Sequence, residues 1–161
     1  MSRIEERLRT LGLELPPPRA PVANYLGIKQ SGEWLFVSGR VSALRGEVGT
    51  EVTAAQARLA ARDTVLELLA IIREGLGDLD RIVSIEQLRG FVRSSANFTE
   101  QPAVIDGASD LLVELMGDAG RHARTATGAA QLPFGAAVQL DLVLRLAPEG
   151  GTPGAETTSR V

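Results

Sequence analysis

Apolar residues recur at two periods along this chain, and the switches between them mark its elements. Ile4, Leu8 and Leu11 fall at i, i+4 and i+7, one face of a short helix. Ser2 stands where its N-cap would be, Glu5 follows at capping-box spacing, and Gly12 is the expected stop. Pro16, Pro17 and Pro18 predict a stiff, extended connector. Two strands are predicted over 21–30 and 33–39, with Ser31 and Gly32 as the turn of a hairpin. Thr53 and Gln56 repeat the capping-box spacing. They open a long helix to about Glu74, whose buried stripe is Ala57, Ala61, Val65, Leu68, Leu69 and Ile72 and whose stops are Gly75 and Gly77. A strand is expected over 82–92, with Gly90 as a bulge. After Pro102 a second helix presents Val104, Ala108, Leu111, Leu112, Leu115 and Met116, and ends at Gly117 and Gly120. Strands over 124–130 and 136–146 close the series.

Hairpin, helix, strand, helix, strand, strand is the order of an α+β sandwich, with two helices on one face of a mixed sheet. Leu142, Val143 and Leu144, like Ile82 and Val83, are apolar at both strand parities, as a sheet buried on both faces requires. One domain is expected over 1–146, including the N-terminal helix. The Gly/Pro-rich segment 147–161 lacks periodic apolar residues and predicts a disordered tail.

Composition narrows the chemistry. At 161 residues and 44% hydrophobic, the chain can bury a substantial core. A formal charge of −3 and 4% aromatic residues give neither the basic excess nor the stacking platform of a nucleic-acid binder. With no cysteine and one histidine, neither a disulfide framework nor a metal site is expected, and no cofactor is predicted. The charged first fifteen residues lack the apolar core of a secretory signal, and no apolar run is long enough to span a membrane. A cytoplasmic protein is expected.

The chemically suggestive residues lie in two stretches. Arg124 opens a β-like segment ending in Leu132-Pro133, and the strand 136–144 returns. Earlier, Tyr25 precedes Ser38-Gly39 within Trp34-Leu35-Phe36-Val37-Ser38-Gly39-Arg40. Together with Phe91–Phe98 and Gly107–Leu112, these resemble the Rid family (RidA/YjgF, also called the L-PSP endoribonuclease family), in a longer bacterial branch with an added N-terminal helix. The resemblance covers roughly residues 16 to 146, and the segment from arginine to Leu-Pro is its most specific part. It implies a chorismate-mutase-like fold and a homotrimer with clefts between subunits. It also implies an arginine, here Arg124, that holds the carboxylate of a 2-imino acid or enamine while water displaces ammonia.

Three positions depart from the family pattern. Gln139 stands where the resemblance places a glutamate that handles water and proton, Ala126 where many members have cysteine, and Pro102 where several have asparagine. A glutamine hydrogen-bonds but does not shuttle protons near neutral pH. Asp141, on the same strand face, is a substitute base on one reading and a solvated strand-end aspartate on the other.

Each candidate has a plainer role beside the functional one. Arg124 can grip a carboxylate with its planar fork, or pair with a nearby acid at a strand end. Tyr25 can orient a ligand or be a half-buried strand residue. Ser38 and Gly39 can let a ligand approach the backbone or be ordinary hairpin structure. His122 can act as a general base or be a surface or interface residue, Glu86 reads as facing solvent or a subunit neighbour, and Arg58 with Arg62 as a solvated helix face. The predicted function is a Rid-like hydrolase deaminating 2-imino or enamine acids, with Arg124 and Gln139 catalytic and Tyr25, Ser38 and Gly39 binding substrate. The alternative is a non-catalytic trimer that binds a small carboxylate-bearing metabolite. A ribonuclease is disfavoured by the charge and the few aromatics.

Overall fold

In the computed structural model, which describes residues 1–148, both capping boxes form. Ser2 Oγ accepts from the Glu5 amide at 3.1 Å and the Glu5 carboxylate accepts from the Ser2 amide at 2.9 Å, opening α1 (Arg3–Thr10). Thr53 and Gln56 do the same for α2 (Ala54–Leu76), which Gly77 closes with a left-handed φ of 79°. The helix runs through Gly75, one of its two expected stops. A Cβ at Gly75 would lie 2.2 Å from Ile28 Cδ1, so this glycine makes room for the first strand.

That strand is shorter than expected. β1 (Ile28–Ser31) and β2 (Trp34–Val41) pair with Ser31 opposite Trp34, which moves the turn to Gly32 and Glu33. Residues 21–27 form no strand. Pro21 has no amide to donate to a ladder, and the segment is held beside β2 at only a few points. β3 (Ile82–Arg93), α3 (Gln101–Met116), β4 (Ala123–Ala129) and β5 (Val138–Leu146) follow. The sheet order is β1-β2-β5-β3-β4, antiparallel throughout except where α3 carries the chain from β3 to the parallel β4. The expected bulge at Gly90 is absent, since Gly90 keeps register with Leu140 and Ala126. A Cβ there would meet Ile105 Cδ1 at 2.5 Å, so the glycine lets α3 sit close on the sheet.

Val138, Leu140, Leu142, Leu144 and Leu146 alternate along β5 and are buried against the stripe of α2 and the apolar face of α3. The helices cross closely because Gly107 has no side chain: a Cβ would lie 2.1 Å from the Arg58 carbonyl oxygen. Arg58 and Arg62 reach across to α3 while remaining partly solvated. They pair with Asp110 at 2.5 Å and Glu114 at 3.4 Å, clamping the two helices. The opposite sheet face leaves Trp34 and Phe36 exposed by 41% and 48%. The predicted tail lies, from Glu149 onward, outside the described residues.

Candidate functional site

Past Val37, β2 has no β1 beside it, and a register shift between Val37 and Arg40 distorts the strand at that point. Residues 19–27 cross this free edge. The Ser38 amide donates to the Gly27 carbonyl at 2.9 Å, the Ser38 hydroxyl to the Leu26 carbonyl at 2.6 Å, and Arg40 Nη2 to the Arg19 carbonyl at 2.9 Å. These bonds wall off a cleft of about 610 Å³ whose lining includes Tyr25, Ser38, Gly39, Arg40, Arg45 and Gln139. A Cβ on Gly39 would come within 3.1 Å of Gln139 Nε2, so the glycine lets the amide lie against β2. The Ser38 hydroxyl proton is engaged in fixing the segment that carries Tyr25. Phe134 also lines the cleft; it is 68% exposed and held at a φ of 59°, a left-handed conformation unusual for a bulky residue.

The cleft is positively charged. Among the described residues Arg19, Arg40 and Arg45 line it against a single carboxylate, Glu67 of α2. Among the described residues none of the three arginines has an ion-pair partner, and Arg40 Nε is buried without a hydrogen bond. Sequence reasoning passed over these groups. Arg40 directly follows the Ser38-Gly39 pair, which was the available signal. Glu67 reads from periodicity as a helix flank, and its proximity to β2 depends on tertiary packing.

Arg124 is not among the residues lining this cleft. It pairs in register with the buried Leu88, which puts it on the helix-facing side of the edge strand β4. Gln139 pairs with Phe91 and so points to the other side. Arg124 Nη1 donates to Asp106 of α3 at 2.7 Å and to the Ser109 hydroxyl at 3.3 Å. This is the strand-end ion pair of the plainer reading, and it ties β4 to α3. His122 joins the same cluster: Nε2 lies 2.9 Å from Ser109 Oγ and Nδ1 lies 2.6 Å from the Gly120 carbonyl. That network assigns the proton to Nδ1, with the Ser109 hydroxyl donating to Nε2.

Asp141 is nearly buried, and its Oδ1 accepts from Arg89 Nε at 2.8 Å. That hydrogen bond, and then the Coulombic attraction, push the Arg89 guanidinium above its ordinary range. Asp141 is therefore neither a solvated strand-end group nor a lining residue of the cleft. Glu86 accepts from the Ser84 hydroxyl and lies 3.8 Å from Arg145. Among the described residues no group of three or more His, Cys, Asp or Glu could hold a metal ion, and no helix is long and apolar enough to cross a membrane.

Comparison with known proteins places this geometry among relatives. Residues 5–146 match a family model described as "YjgF/chorismate mutase-like, putative endoribonuclease". Protein TCP17 of Trypanosoma cruzi is 42% identical over 151 residues, covering 89% of this chain and 94% of that one. A protein of known structure from Agrobacterium tumefaciens is 41% identical with a TM-score of 0.84, covering 90% of this chain and 93% of its own. A Shewanella oneidensis structure described as a "putative endoribonuclease" is 33% identical with a TM-score of 0.85, covering 89% of this chain and 99% of its own.

Proposed function

The chain belongs to the Rid/YjgF family, with its chorismate-mutase-like fold, and from that premise we propose that it hydrolyses reactive 2-imino or enamine acids, releasing ammonia, in the cleft beside Gly39. One observation carries the reading. Tyr25, Ser38, Gly39 and Gln139, far apart in sequence, line a single cleft together with arginines that have no acid partner among the described residues. Charge-assisted pairing to a guanidinium fork is the means by which a small carboxylate would be held there. The Gln139 amide would bind the attacking water, and Glu67 is the cleft's own carboxylate, available to accept a proton from it. In the reaction, water oxygen bonds to the imine carbon as the C=N electron pair moves to nitrogen. Nitrogen is protonated, the hydroxyl gives up its proton as C=O forms, and ammonia leaves.

A second reading is a non-catalytic trimer that binds a carboxylate metabolite. Gln139 favours it, being an amide where the resemblance places a glutamate. An imine generated in situ by an amino-acid oxidase separates the two. Ammonia release above the spontaneous rate supports hydrolysis, whereas binding of the matching 2-oxo acid without acceleration supports the binder. The ribonuclease activity suggested by the descriptions of relatives finds little support in a chain of net charge −3, and no cleavage of single-stranded RNA is expected.

A further inference from the structure

We infer that the ligand of this cleft carries two anionic groups, and so belongs to the dicarboxylic 2-imino or 2-oxo acids rather than the monocarboxylic ones. The inference rests on the reading of the cleft as a carboxylate site. Among the described residues three guanidinium groups line it against one carboxylate, so one acid group on a ligand would leave a positive charge uncompensated. Such charges attract counter-ions most strongly in a walled, partly dehydrated site.

The placement of the arginines points the same way. Arg40 sits directly after Gly39 on β2, paired with Leu140, and its Nη2 is fixed to the Arg19 carbonyl. With Nε buried and unpartnered, its charge is partly desolvated before any ligand arrives. Arg45 lies past the end of β2, bridged to Ala136. Along the β5 side, Ala136 and Leu140 are four residues apart, roughly 13 Å at the rise of extended chain. The backbones that carry the two forks are therefore set well apart along the cleft, which suits two acid groups better than one shared carboxylate. No α-helix N-terminus is among the lining residues; the one helical turn that starts there, Pro133–Gly135, opens on a proline with no amide N–H. The aligned amides by which an α-helix N-terminus cradles phosphate are thus missing from the described lining, and planar guanidinium forks matched to planar carboxylates remain.

Calorimetry with two five-carbon 2-oxo acids tests this. 2-Oxoglutarate and 2-oxopentanoate differ in the terminal carboxylate. Wild type should bind 2-oxoglutarate roughly ten- to a hundredfold more tightly, the range of one added charge-assisted contact. In Arg45→Ala that advantage should collapse. Equal affinity of wild type for the two acids overturns the two-charge inference and leaves the carboxylate reading standing. An advantage undiminished in Arg45→Ala overturns the role of Arg45 as the second fork. Binding of neither acid overturns both the inference and the function on which it rests.

Discussion

A methyl group on Gly39 would sit 3.1 Å from Gln139 Nε2. The neighbour is the end of a flexible side chain, so Gly39→Ala should displace the amide at little cost to folding. The expected result is weaker 2-oxo acid binding by calorimetry with an almost unchanged unfolding midpoint. Glu67 is the only carboxylate lining the cleft among the described residues. Glu67→Gln should therefore lower ammonia release by about 10²–10⁴-fold, the usual worth of a positioned base. Affinity for the 2-oxo acid should hold or rise, because a negative charge is removed from an anion site. Loss of binding and rate together would make Glu67 structural. Tyr25, Ser38, Gly39 and Gln139, which line one cleft, stand out in the sequence because two short motifs carry them. The side of the sheet on which Arg124 falls was not legible. Successive strand residues point to opposite faces, so one step of register decides between the open face of the sheet and α3. Only the pairing of Arg124 with Leu88 settles which.

The elements followed from local chemistry where it is strong: two capping boxes, the stripe of α2, the left-handed Gly77. Glycines were the weak point, because the same residue that ends an element also lets two elements touch. Gly75 and Gly90 do the second, which becomes visible only once Ile28 and Ile105 lie against them. Gly107 does so most sharply, since its would-be Cβ meets the Arg58 backbone, which cannot swing aside. Gly107→Ala should cost about 1–3 kcal/mol by overpacking, at about 2–4 °C of unfolding midpoint per kcal/mol for a chain of this size. A thermal melt equal to wild type would show that the helix crossing yields more easily. At α1, the hydrogen bond from the Ser2 amide, and then the one from Arg73, hold the Glu5 carboxyl below the ordinary glutamate range. A group depressed in the folded state stabilises above its unfolded-state value and loses that stabilisation as pH falls through its folded-state value. The unfolding midpoint should therefore decline as pH drops below about 4.3, and Glu5→Gln should flatten that part of the profile.

At the scale of the molecule, the helices cover one face of the sheet and leave Trp34 and Phe36 exposed on the other. We propose that copies of the chain cover this face as a homotrimer, since large exposed apolar residues clustered on one surface mark an association site. Light scattering should return three times the chain mass, and Phe36→Glu should shift it toward the monomer. A monomer mass for wild type at micromolar concentration would contradict the trimer. The central claim is that anions bind in the cleft beside Gly39. The most direct measurement is calorimetric titration of 2-oxoglutarate into wild type, Arg40→Ala and Arg124→Ala. Arg40→Ala should weaken binding roughly ten- to a hundredfold, while Arg124→Ala should bind as wild type and show its loss in a lower unfolding midpoint. Binding abolished by Arg124→Ala and untouched by Arg40→Ala would contradict the account.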